Sequence, residues 1–461
     1  MDTEERAEAF SSSRYRRSKL PQSLLIFSIV VAVGAAIGAV IGVIITIKYK
    51  AQQATILNSP SPNQTQQTQP ESTALVSSST PSSDISKESF DFHAFGIGNW
   101  APVALPESKA YRTDSAVQKS IAELMAATAK IMPPQFILSH GGNLLLSGGQ
   151  VKRAAQFDTL FTKIYADESL STAPWLNVMG DVEYGGGNYL CSNYSTEATS
   201  PFISCSSNTA MLRGLKAKVR HIERSRHHKA SSEINDTRWI LRDQLYKYSA
   251  HSNGIVIDSF HLNLIVPKTA HVICCQCFGY GGSCPKLHEI DNFDEFPKSC
   301  AGGHESWYED CRDTFDEAMD DAFDALKEAL QLSSATWKIV HAYSSGLHDI
   351  PSSDQSKWFQ LLNQFNVQLW INGHSRQASH SIFQTNSTHS PIHFWTNGLG
   401  GGQLPLAQKK MKAMWSDVKD GFLTLSFSTL WAKVQYLSPS TNDPLYCYYI
   451  PQSGLGSGQN C

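Results

Sequence analysis

Apolar and polar positions divide the 461 residues into unlike zones. Residues 1–20 are polar and basic, and Leu24 to Ile47 is one unbroken uncharged run. Residues 51–89 are rich in Ser, Thr, Pro and Gln, with almost no large apolar side chains. From Phe90 to about Ile450 short apolar runs alternate with amphipathic segments. The runs Phe136–Leu138, Trp175–Met179, Ile255–Leu264, Ile339–Val340, Val367–Ile371 and Ile392–Trp395 predict strands. Helical periodicity covers Ala116–Ile131 and Thr314–Leu332; in the second, Phe315, Met319, Phe323, Leu326 and Leu330 share one face. Strand–helix alternation implies an α/β core with its site on loops at strand ends.

The run from Leu24 to Ile47 is long enough to cross a bilayer at 1.5 Å per residue, and longer than the apolar stretch of a cleavable leader. Arg6, Arg14, Arg16, Arg17 and Lys19 precede it, and only Lys48 and Lys50 follow closely. This bias predicts a single-pass type II membrane protein with a lumenal or extracellular body. The expected organisation is a cytoplasmic tail (1–20), a transmembrane signal-anchor (21–50), a stalk (51–89), a globular domain (90–450) and a C-terminal tail (451–461). A stalk of that composition buries too little surface to offset its ordering entropy. Gly34, Gly38 and Gly42 recur on one helix face, which predicts a homodimer through the span.

All ten cysteines lie beyond the span, an even count that reads as a disulfide framework. Sequons at Asn63, Asn193, Asn235 and Asn386 fall on the same side and predict a glycoprotein. The formal charge of −3 gives no reason to expect a nucleic-acid partner. Two stretches read as insertions. Arg213 to Lys229 is a basic helix candidate, either a solvated face or a site for an anionic partner. Cys274 to Cys311 is cysteine-dense without paired CxxC spacing, which favours disulfides over zinc.

Six segments in order resemble the purple (tartrate-resistant) acid phosphatases. GIGNWA at Gly96–Ala101 resembles that family's GDWG block, and FILSHGGNLLLSGG at Phe136–Gly149 its FILSLGDNFYxxG. PWLNVMGDVEYGGGN at Pro174–Asn188 resembles PWxxVxGNHDYxGN, and WKIVHAYSSGLHD at Trp337–Asp349 the W…VxGHHPxYSSGxHG block. LWINGHSRQASH at Leu369–His380 resembles YxxGHDHNxQH, and FWTNGLGGG at Phe394–Gly402 the strand and glycine turn after it. The resemblance implies the metallophosphoesterase (calcineurin-like) fold, an α/β β-sandwich of two mixed sheets flanked by helices.

The family's reaction implies two metal ions that clamp a phosphate and generate a hydroxide. Carried over position by position, most of the ligands are gone. Asn99 stands for the first Asp, Gly142 for the bridging Asp, Leu145 for the Tyr and Arg376 for the last His of GHxH. Arg376 places a permanent cation where a cation should bind. The second metal position keeps more: Asp181 replaces the Asn of GNHD, and His374 is the first His of GHxH. For the His of GHHP, an ungapped count gives Tyr343, while a two-residue deletion aligns His341. The catalytic His–Asp pair becomes Val182 and Glu183, and Val182 cannot donate a proton. His348 and His380 match the family's outer histidines.

Three readings follow. The first is a membrane glycoprotein whose phosphatase-like domain has a non-catalytic binding or structural role, with a protein partner on its lumenal or extracellular face. It predicts that the dinuclear iron/zinc centre is absent. The second is a weak acid phosphatase with one divalent ion at Asp181, His341 and His374, and vestigial catalytic residues Glu183 and His348. The third is a membrane scaffold acting through its GxxxG span and basic insertion.

Overall fold

The computed structural model describes residues 85–102, 112, 114–143, 157–184, 205–215, 236–242, 244–275, 303–384, 390–405, 413–452 and 458–461. All belong to a compact unit running from Ser79 to Cys461. The expected membrane span, the four sequons, Leu145 and most of the basic insertion lie outside the described residues. Among the described residues, no helix is long and apolar enough to cross a membrane.

The strands in chain order are β1 (Phe92–Ile97), β2 (Phe136–Ser139), β3 (Trp175–Asn177), β4 (Trp239–Ile240) and β5 (Leu245–Ser252). Next come β6 (Ile255–Leu262), β7 (Trp337–Ala342), β8 (Leu369–Asn372), β9 (Ala378–Phe383) and β10 (Ile392–Asn397). The chain ends with β11 (Trp415–Asp417), β12 (Phe422–Phe427), β13 (Trp431–Leu437), β14 (Tyr446–Pro451) and β15 (Gln459–Asn460). They form an eight-stranded sheet, β15-β14-β13-β12-β1-β2-β3-β4, and a seven-stranded sheet, β11-β9-β10-β8-β7-β6-β5. Both sheets are mixed: β1 runs parallel to β2 and antiparallel to β12, while β10 runs parallel to β8 and antiparallel to β9.

Central strands are buried on both faces, which explains why they read as continuous apolar runs rather than alternating ones. In β1, Phe92 and Ala94 face the layer between the sheets, where Leu369, Trp395, Leu423 and Val434 also pack. Phe95 and Ile97 point outward, to helix α1 (Ala116–Ala129) and an aromatic group of Trp100, Phe161 and Trp175. Two short helices follow, α2 (Asp181–Tyr184) and α3 (Pro267–Cys275). The outer face of the seven-stranded sheet is covered by the C-terminal half of α4 (Glu305–Gln331) and by α5 (Ser352–Gln364), through Phe323, Leu326, Trp358 and Leu362.

Four differences from the sequence reading have physical causes. Helix α4 begins nine residues before Thr314, at Glu305, because Tyr308 and Cys311 continue its buried stripe. Cys311 is bonded to Cys274 on α3, so the cysteine-dense segment begins and ends on helices of the core. Strand β5 joins β6 through Asn253 and Gly254, both with positive φ, the two-residue turn that matches strand twist. Residues past 450, expected as a tail, supply β15, which pairs with β14, and Cys461, which is bonded to Cys447.

Candidate functional site

The parallel strands of both sheets end at one mouth. Asn99 follows β1, Gly142 follows β2, and Asp181 and Glu183 follow β3. On the other sheet Tyr343 follows β7, His374 and Arg376 follow β8, and Gly398 follows β10. A backbone bond from Asn99 N to Gly141 O and one from His374 N to Tyr343 O hold adjacent loops in register. Gly400 N and Gly402 N bond to the carbonyls of Gly98 and Asn99, linking the two sheets.

Asn99 is fully buried, with φ +49, a left-handed conformation that Asn tolerates. Its Nδ2 donates to Gly373 O at 2.7 Å and to Gly398 O at 3.3 Å. Its Oδ1 is buried with no protein partner. Gly142 has φ +71, and a Cβ added there would overlap Asn99 Oδ1 and lie 3.1 Å from Tyr343 Cε2. The side chain of Asn99 thus fills the volume that a carboxylate at 142 would enter.

Glu183 is 5% exposed, and its carboxylate accepts the backbone N–H groups of Gly142, Asn143 and Gly180 at 2.8, 2.7 and 2.8 Å. Its position in the family pattern suggested a vestigial catalytic group; its hydrogen bonds are those of a loop anchor. Asp181 accepts from Val182 N at 2.8 Å and from the Tyr343 hydroxyl. The Tyr343 ring is buried against His374, with centroids 4.9 Å apart. His374 Nδ1 lies 2.9 Å from Asp349 Oδ2, and Asp349 also accepts Ser345 N at 2.7 Å. Arg376 is half-buried, and His348 sits on the exposed turn before Asp349.

His341 is the fifth residue of β7, which ends at Ala342, and Tyr343 follows the strand. Both residues face the same side of the strand, but His341 lies one step deeper, between the sheets. There its Nε2 is 2.9 Å from His140 Nδ1 and its Nδ1 2.8 Å from His261 Nδ1, while His261 Nε2 meets Ser259 Oγ. The set of Asp181, His341 and His374 therefore does not converge. Burial pushes His140 and His261 down to about 3 and His341 well below the usual histidine range, so all three rings are neutral. His380 and His393 form a second buried pair, 3.0 Å apart, near Tyr446.

No protein-family model and no curated protein matches the sequence. Solved structures do match in shape. One is GAP50, the anchor in the inner membrane complex of Plasmodium, at 16% identity and TM-score 0.49, covering 79% of this chain and 90% of that one. Another is purple acid phosphatase PPD1 from yellow lupin (Lupinus luteus) seeds, at 12% identity and TM-score 0.43, covering 78% and 53%. A third is a dimetal phosphatase from Danio rerio, at 12% identity and TM-score 0.43, covering 79% and 100%. The chain resembles the purple acid phosphatase-like metallophosphoesterases.

A dinuclear centre of that family does not fit the residues present. The bridging position, Gly142, has no donor atom, and the space beside it is taken by Asn99. The Tyr343 hydroxyl occupies an oxygen of Asp181, and Arg376 brings a fixed positive charge. Among the described residues, no three His, Cys, Asp or Glu side chains are grouped to hold a metal. Sequence reasoning missed Asn143, which accepts Trp100 N, and Asn263, which accepts Met179 N. Asp349 left a signal, since it replaces the Gly that ends the family's YSSGxHG block.

Proposed function

We propose that this chain is a type II single-pass membrane glycoprotein whose purple acid phosphatase-like domain has a non-catalytic, binding or structural role. The supporting observation is the pair of Asn99 and Gly142, where a side chain stands in the place of the bridging carboxylate. Hydrolysis by two metals needs that carboxylate twice, to hold two cations close together and to generate the hydroxide nucleophile. Val182 removes the proton donor as well, since an isopropyl group can neither bond a phosphate nor protonate a leaving group. The membrane placement rests on the apolar run from Leu24 to Ile47 and its basic flank.

Metal analysis and an aryl phosphate assay at pH 5 on the purified full-length protein test the reading together. The expected result is substoichiometric iron and zinc and no turnover above the blank. Two tightly held ions per chain, or turnover on the order of 10 per second, would overturn it.

A further inference from the structure

We propose that Asn99 and Tyr343 form a metal-independent clasp that ties the two sheets together at the mouth of the sandwich. The proposal rests on the non-catalytic reading above and assigns a task to residues that stand at former metal positions. Those positions are divided between the sheets: 99, 142 and 181 follow strands of the eight-stranded sheet, and 343, 374 and 376 follow strands of the other. A metal centre there would join the loops of both sheets as well as do chemistry.

The chain makes the same join with its own hydrogen bonds. Asn99, on the eight-stranded side, donates to Gly373 O and Gly398 O on the seven-stranded side. Tyr343, on the seven-stranded side, donates to Asp181 on the other. The two ties run in opposite directions, and Asn99 and Tyr343 are at most 1% exposed. Glu183 firms the footing within one sheet by holding the β2 and β3 loops through three amides.

The residue type at 99 is specific to this task. Gly373 and Gly398 present acceptors only, and a carboxamide offers two N–H groups to two carbonyls. An ionised Asp of the same shape would set a negative oxygen against those carbonyls and lose both bonds. The family's own residue is therefore the wrong one in this setting, an outcome that a merely degenerate site would not give. A buried carboxyl facing carbonyls has a raised pKa. Its cost is then felt above that pKa and falls away on acidification, when the protonated group can donate again.

The test is thermal unfolding of the full-length protein in detergent at pH 7 and pH 5, with and without a chelator. Wild type, Asn99→Asp and Tyr343→Phe are compared. The clasp predicts that the chelator leaves wild type unchanged and that Asn99→Asp melts at least about 5 °C lower at pH 7. That deficit, taken against wild type at the same pH, should narrow at pH 5. Tyr343→Phe keeps the ring and loses the tie, so it should melt roughly 2–4 °C lower, and it carries the test if Asn99→Asp does not fold. Melting unchanged in both variants, or an Asn99→Asp deficit that is equal at both pH values, overturns the clasp and leaves the non-catalytic reading standing. A wild type that loses stability in the chelator overturns both.

Discussion

Placing a single methyl group at position 142 probes the centre of the site. In Gly142→Ala the new Cβ lies 3.0 Å from Asn99 Cγ and overlaps its Oδ1, so the amide must rotate away. Rotation breaks the bonds to Gly373 O and Gly398 O, each worth about 1 kcal/mol, and leaves two buried carbonyls short of a donor. Holding φ at +71 with a side chain costs about 1–2 kcal/mol more. The expected destabilisation is roughly 3–4 kcal/mol, read from urea unfolding followed by tryptophan fluorescence. A double-mutant cycle separates the two causes. In an Asn99→Gly background the space is empty, so Gly142→Ala should cost only the backbone share. The coupling between the sites is then about 2 kcal/mol, well outside the range of independent positions. Additive costs, or a single-mutant loss below about 1 kcal/mol, would show that Asn99 does not occupy the bridging volume.

Acid should weaken the fold through its buried histidines. The rings of His140, His261 and His393 are held at about 3, His380 at about 2, and His341 also far down, all by burial. Unfolding lets each take up a proton below its free value near 6.5, so stability is greatest above that pH and falls toward 3. A urea midpoint that stays flat from pH 7 to 5 would contradict it. Peptide mapping without reduction should recover Cys274 linked to Cys311 and Cys447 linked to Cys461. Replacing Cys447 and Cys461 together by Ser should cost about 3 kcal/mol, as expected for a loop of that size; an unchanged denaturation midpoint would count against the second bond.

The fold was legible where apolar runs are long and bounded. Ile255–Leu264 and Ala116–Ile131 were placed to within a couple of residues, because burial on both faces of a strand or along one helix stripe leaves a local signature. The LYKYSAHS segment of β5 carries a fainter signature, alternation, with Tyr246, Tyr248 and Ala250 turned inward between Lys247, Ser249 and His251, and the Asn253–Gly254 turn marks the hairpin. The site was legible as a list of missing ligands, but not as an arrangement. His341 and Tyr343 are two residues apart and turn to the same side, so pattern alone could not separate the ring between the sheets from the one at the mouth. The fit of Asn99 against Gly142 links positions 43 residues apart, and no local pattern carries such a relation. Glu183 has the acidic character of its position in the motif, but its hold on three backbone amides is a relation between distant loops that local sequence does not carry.

The interlock of Asn99 with Gly142 also makes the two positions a single unit under mutation. An Asp placed at 142 enters a space held by the amide, and an Asp placed at 99 faces two carbonyls with no cation to offset it. Each single change toward the purple acid phosphatase pattern is therefore unfavourable on its own. The side chain at one position sets which side chains the other tolerates.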